Sequence, residues 1–118
     1  MPSFVILEHD FPHLHWDFML DEGDALRTWR LSAQPRENQT IRAEALGMHR
    51  RLFLHYEGPL SGNRGTVRRW DAGEYDCSEE SPGLVRLQLH GTHCQGQVDL
   101  VQTSEREWTF RLRNAAEG

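Results

Sequence analysis

His9-Asp10-Phe11-Pro12-His13-Leu14-His15-Trp16-Asp17-Phe18-Met19-Leu20 is the stretch on which the reading of this chain turns. It sets three imidazoles and two carboxylates within nine residues of an otherwise apolar, strand-like pattern. Residues two apart on a strand point the same way, so His15, Asp17 and Met19 share one face and Trp16 and Phe18 the other. Mixed nitrogen and oxygen donors suit borderline divalent ions such as Mn²⁺, Fe²⁺ and Zn²⁺. His15 and Asp17 can chelate one ion from a single strand. His9, across a short Pro-containing loop, closes the third corner, and His13 in that loop is a further candidate ligand.

Working outward, the chain reads as short strands between turn signals. Ser3 to Glu8, Leu14 to Asp21, Ala25 to Leu31, Leu52 to Tyr56, Gly65 to Trp70, Gly73 to Tyr75, Leu84 to His90, Gln97 to Gln102 and Trp108 to Leu112 are the predicted strands. Ile41 to Met48 fits either a helical turn or a strand. Asp76 to Gly83 reads as an acidic surface loop. The expected fold is all-β and mainly antiparallel, a small barrel or sandwich. In a small closed barrel, an inward-pointing polar cluster must be satisfied, and a metal would do so. Residues 1–112 are expected to form one domain and residues 113–118 a flexible C-terminal tail. Trp16, Trp29, Trp70 and Trp108 read as core.

The 118 residues suffice for one core, and their net charge of −5 argues against a surface that grips duplex DNA throughout. Residues 41–69, however, hold six arginines against two acids. Arg50, Arg51, Arg68 and Arg69 are the candidate phosphate-binding residues there, since guanidinium binds phosphate oxygens two at a time. There is no lysine. No apolar stretch reaches membrane-span length, and no basic-then-apolar leader is visible. Cys77 and Cys94 make no CxxC pattern. A cytoplasmic setting with free thiols is the expectation.

The ordered motifs resemble the 3′-phosphoesterase domain of bacterial DNA ligase D. Phe4-Val5-Ile6 through His9-Asp10, then Leu14-His15-Trp16-Asp17-Phe18-Met19-Leu20, resemble that family's F-V-I-x-x-H-D and L-H-Y-D-F-R-L. Leu26-Arg27-Thr28-Trp29 is similar to its L-K-S-W. His49 and Glu57-Gly58 match H-P-L-D-Y-x-x-F-E-G, and Gly65 to Gly73 match G-x-V-x-x-W-D-x-G. Leu87 to Gly91, Gly96, Leu100-Val101 and Trp108 continue the order. The resemblance implies a compact β-barrel with a Mn²⁺ site (or another divalent metal such as Zn²⁺) in or at the mouth of the barrel. It implies removal of 3′-phosphates and 3′-ribonucleotides from DNA primer–template ends in nonhomologous end joining. It assigns His9, His15 and Asp17 as metal ligands and His49 as a catalytic histidine. The polymerase and ligase domains that usually accompany the module are expected to act in trans. Asp10 is expected to orient an imidazole, and Glu57 to be a turn carboxylate.

Departures from the family fall on its phosphate-binding side chains. Met19 stands where the family has arginine, Phe53 where it has tyrosine, Ala33 where it has lysine, and Ile41 where it has a further arginine. Arg30, Arg64 or Arg69 could replace the missing charge from neighbouring strands. Three readings follow: a phosphoesterase, active weakly or on another phosphate ester; a catalytically degenerate metal- or nucleic-acid-binding module; and a non-haem iron oxygenase in which His90 or His93 completes the facial triad with His15 and Asp17.

Overall fold

Alternation of apolar side chains along short segments produces β-structure throughout. The structure is a computed structural model and describes residues 1–114. β1 (Ser3–His9), β2 (His15–Asp21), β3 (Leu26–Leu31) and β4 (Thr40–Ala45) are successive antiparallel neighbours. A two-residue β5 (Gly58–Pro59) borders β6 (Thr66–Ser81), and β7 (Leu84–His90), β8 (Gln95–Gln102) and β9 (Glu107–Asn114) follow. β9 pairs with β4, and the first half of β6 pairs with β1, so eight strands close into an antiparallel barrel. The fold class is therefore the all-β barrel expected.

The lumen is packed with Phe4 and Ile6 of β1, Phe18 of β2, Trp29 of β3 and Phe110 of β9, all at most 1% exposed. Phe18 meets Phe110 edge-on with ring centroids 5.4 Å apart, and Trp29 meets Trp108 at 5.6 Å. An eight-stranded barrel is just wide enough for such side chains to fill. Val5, Leu7 and Met19 point the other way, onto the outer surface. There they pack with Leu26, Leu54 and Val67 in a second apolar cluster, against which Phe53, Tyr56 and Leu60 also lie. β2 is consequently buried on both faces.

Several boundaries differ from the sequence reading. Leu52 to Tyr56 is no strand: Arg51–Leu54 form a 3₁₀ turn, with the Phe53, His55 and Tyr56 amides bonded to carbonyls three or four residues back. Local bonding suffices because only Leu54 and its neighbours need to reach the outer cluster. The ambiguous 41–48 segment is strand through Ala45. The predicted strands at 65–70 and 73–75, from Thr66 on, and most of the acidic loop are one sixteen-residue strand, β6. Its acidic end is exposed but held by backbone pairing to β7 and by the Arg86–Glu79 and Arg27–Glu80 ion pairs, 2.8 and 3.0 Å. Gly83, with φ of 82°, makes the tight turn between the two strands. β9 extends to Asn114, and residues 115–118 of the expected tail lie outside the described residues. Trp70 is half-buried rather than core, stacked on His93 at 4.7 Å. Cys77 is exposed and Cys94 buried, both as free thiols. No helix among the described residues is long and apolar enough to cross a membrane.

Candidate metal centre

The β1–β2 hairpin sets His9 directly opposite His15, the last residue of one strand against the first of the next. Asp17 follows two residues on, the same face of β2. His9, His15 and Asp17 each offer a ligand atom, and these atoms lie within 4.8 Å of one another. The sequence reading is corrected on orientation. The three side chains share the face of Leu7 and Met19, outside the barrel, because aromatic and aliphatic side chains already fill the lumen. β1 runs one residue past the predicted Glu8, so His9 is its last residue.

Backbone carbonyls set the tautomers. His9 Nε2–H donates to the Arg64 carbonyl at 2.8 Å, and His15 Nδ1–H donates to the His13 carbonyl at 2.8 Å. In the neutral rings, lone pairs then face the Asp17 carboxylate: His9 Nδ1 is 3.5 Å from Oδ2 and His15 Nε2 is 3.3 Å from Oδ1. His15 Nε2 and Asp17 Oδ1 are buried with no hydrogen-bond partner. Facing lone pairs repel, so the cluster fits a proton or a cation shared among them, and its donor set suits a divalent metal.

Titration follows the same geometry. A hydrogen bond with Asp17 raises the His9 pKa above its usual value, against the opposing effect of burial, with the Arg64 carbonyl adding to the rise. Burial alone would raise the Asp17 pKa, but protonated His15 and His9, which can donate to the carboxylate, prevail and take it down to about 2. In the metal-free protein, the His9 contribution to stability is complete below pH 6.5 and is lost as pH rises through the raised value. The Asp17 contribution is present above its ordinary 3.8 and is lost as pH falls towards 2. A metal ligated by His9 would have to displace that proton. Mn²⁺ affinity should therefore decline from a pH above 6.5 downward, with proton release seen when calorimetry is repeated in buffers of different ionisation enthalpy. A flat affinity between pH 6 and 8 would remove His9 from the ligand set.

A cleft of about 440 Å³ opens beside the cluster. His9, Asp17, His49, Arg30, Arg50 and Arg64 bring polar groups to it, and Phe11, Met19, Met48 and Phe53 form apolar wall. His49 is fixed by a reciprocal backbone pair with Leu26, 2.9 and 2.8 Å, and its Nδ1–H donates to the Gly47 carbonyl at 2.9 Å. Its Nε2 makes no hydrogen bond among the described residues. The Phe53 ring stands edge-on to His49, centroids 6.2 Å apart.

The other sequence candidates divide. Arg50 lines the cleft, but Arg51 is bound by two bonds to Asp21 at 3.0 and 2.8 Å, Arg68 pairs with Glu8 at 2.9 Å, and Arg69 donates to the Leu54 carbonyl at 3.2 Å. Of the four, Arg50 alone lines the cleft. Asp10 makes no hydrogen bond to an imidazole among the described residues, though its charge adds to the rise of the His9 pKa; it accepts the Thr66 N–H at 2.8 Å and so fixes the loop whose Arg64 carbonyl holds His9. Gly65 between them has φ of 82°, and a Cβ there would collide with Asp10 and Phe11. Glu57 is the turn carboxylate expected, accepting the Arg69 N–H at 2.8 Å. His13, His55, His90 and His93 lie outside the cluster, so the facial-triad reading with a distal histidine has no support in the geometry. The carbonyls of Arg64 and His13 carry no signal in the sequence, because any residue type supplies one.

Barrel, cluster and cleft describe a small β-barrel with a histidine–carboxylate centre on its outer wall. The DNA Ligase D 3′-phosphoesterase domain matches this chain over residues 7–102, and the chain belongs to that family. It is 30% identical over 122 residues to the "Multifunctional non-homologous end joining protein LigD" of Mycobacterium bovis and to the "Multifunctional non-homologous end joining DNA repair protein LigD" of Mycobacterium tuberculosis. The corresponding protein of Mycolicibacterium smegmatis is 27% identical over 125 residues. These alignments cover 95%, 95% and 90% of this chain but 16% of each relative, so the chain spans about one-sixth of their length.

Proposed function

We propose that this protein hydrolyses phosphate esters at the 3′ ends of DNA strands, 3′-phosphates or 3′-ribonucleotides, with a divalent ion held by His9, His15 and Asp17. The pair of orphaned, facing atoms His15 Nε2 and Asp17 Oδ1 carries this reading, together with family membership. Mn²⁺ is the preferred ion, with Zn²⁺ the alternative, because it accepts hard phosphate oxygens beside two imidazoles and a carboxylate. When bound, the ion would polarise a phosphoryl oxygen and acidify a coordinated water.

The remaining chemistry belongs to the chain. His49, with Nδ1 committed to Gly47, keeps Nε2 available to hold a proton near the leaving oxygen. Phe11, Met48 and Phe53 give a sugar or base an apolar surface at the cleft. Arg30, Arg50 and Arg64 attract the phosphate. The mycobacterial relatives are named for non-homologous end joining, which supports our reading of DNA ends as the substrate and of a cytoplasmic repair role alongside other repair proteins.

With Mn²⁺ present, end-labelled primer–templates bearing a 3′-phosphate or a 3′-ribonucleotide should be shortened or dephosphorylated. His49→Ala should slow this by about 10²–10⁴-fold. Full activity in that variant would exclude His49. Met19 and Phe53, apolar where the family has arginine and tyrosine, favour a second reading as a metal-binding module without catalysis. Tight Mn²⁺ binding with no turnover on either substrate would establish it.

A further inference from the structure

We propose that Arg30 is the side chain that grips the phosphoryl group in this cleft, an assignment that rests on the phosphoesterase reading of the site. Arg30 lies directly opposite Asp17 across the β2–β3 ladder. Opposed residues of an antiparallel pair project to the same face from backbones about 5 Å apart. Its guanidinium therefore issues beside the metal cluster. Arg27, Arg42, Arg51, Arg68 and Arg86 each have a carboxylate within 3.9 Å. Arg30 has no ion pair and no hydrogen bond among the described residues, and its Nε is buried without a partner.

Two carboxylates flank it in the ladder, Asp17 on β2 and Glu44 on β4. Neither comes within ion-pairing distance among the described residues. Asp17 is already turned to His9 and His15. A buried guanidinium nitrogen left this way is costly unless an acceptor arrives. Arg30 also lies at the junction of two clefts. It lines the one that contains His9, Asp17 and His49, and a second that contains His13, His15 and Arg42. A phosphoryl group placed against the metal cluster would present its free oxygens to this guanidinium. Of the other two arginines at the cleft, Arg64 has its Nε committed to the Ser61 carbonyl at 2.7 Å, and Arg50 is exposed at the start of the 3₁₀ turn rather than opposite Asp17. Met19, two residues along β2 from Asp17, offers no charge and is buried in the outer apolar cluster.

The test uses Mn²⁺-loaded protein and two readouts, inorganic phosphate binding by calorimetry and turnover of a 3′-phosphate primer–template. Arg30→Gln should weaken phosphate by at least about tenfold and lower turnover by about 10²–10³-fold, with Mn²⁺ affinity unchanged. Added guanidinium ion should restore part of the turnover in Arg30→Ala, a rescue that a purely structural role would not permit. Arg30→Lys, which preserves charge and bulk, should retain intermediate phosphate affinity and keeps the test open if the neutral variants fold poorly. Phosphate affinity equal to wild type in Arg30→Gln would overturn the proposal, as would absence of phosphate binding by the wild type. Loss of phosphate binding in Arg30→Gln, from a wild-type protein that binds phosphate but turns over no ester, would support the Arg30 assignment and reject the catalytic reading alone.

Discussion

Asp17→Ala should leave the protein unable to hold Mn²⁺ tightly and reduce any 3′-end processing to background. Asp17 is the common partner of both imidazoles, 3.5 Å from His9 and 3.3 Å from His15, and it is the only anionic member of the set. Loss of a group that merely orients a ligand weakens metal binding by roughly 10–100-fold, so loss of the charged ligand should exceed that range. Turnover should fall by at least about 10³-fold, the scale of removing a principal electrostatic stabiliser. Asp17→Asn separates charge from shape. Its amide can donate to one imidazole lone pair, so the fold should survive without metal. The hydrogen bond with Asp17 is the largest cause of the raised His9 pKa, so that pKa should fall back in the Asn variant. Calorimetry with Mn²⁺ and NMR titration of His9 provide the two measurements. Undiminished Mn²⁺ affinity in Asp17→Ala would refute the ligand assignment.

Much of this arrangement was legible in the sequence because it follows from short-range geometry. The period of two in β2 puts His15, Asp17 and Met19 on one face whatever the fold, and the structure keeps them there. Which face is buried in the lumen is a different matter, since it depends on closure of the barrel by β6 on β1. β2 is covered on both sides, so its hydrophobicity does not distinguish lumen from exterior. For the same reason the sequence reading puts the cluster in or at the mouth of the barrel, whereas its three side chains share the outward face of β1 and β2, at the strand ends. Charge misled twice. The acidic run after Tyr75 suggested a loop, yet backbone pairing to β7 extends β6 through it. Of the four arginines nominated for phosphate, three are engaged by partners that their sequence segment does not show: Arg51 by Asp21, Arg68 by Glu8 and Arg69 by the Leu54 carbonyl. Arg30, nominated only as a substitute, becomes central once the β2–β3 register is known.

Asp71→Ala should destabilise the fold by about 3–5 kcal/mol, although Asp71 carries no part of the proposed chemistry. The side chain is 3% exposed on β6. Its carboxylate accepts the backbone N–H groups of Ala72 at 2.9 Å, Thr92 at 2.8 Å, His93 at 3.1 Å and Cys94 at 2.7 Å. Three of those donors form the turn between β7 and β8, so one carboxylate binds that turn to the strand that closes the barrel. The approach is close enough that a Cβ at Gly91 would strike Asp71 and Phe4. Alanine leaves the donors without an acceptor, and unsatisfied buried donors cost about 1–3 kcal/mol each. Water reaching the exposed Thr92 and His93 offsets part of that sum. Against a total stability of roughly 5–15 kcal/mol, the loss is severe, and the melting temperature should drop by about 10–20 °C. Asp71→Asn should fall between, because its carbonyl can accept from some donors while its NH₂ faces the others. Urea denaturation and thermal melting of the metal-free protein measure the effect without reference to catalysis. A melting temperature for Asp71→Ala within about 3 °C of wild type would mean that the turn is held by its own backbone bonds, chiefly Gly91 N–H to the Cys94 carbonyl at 2.9 Å, and not by the carboxylate.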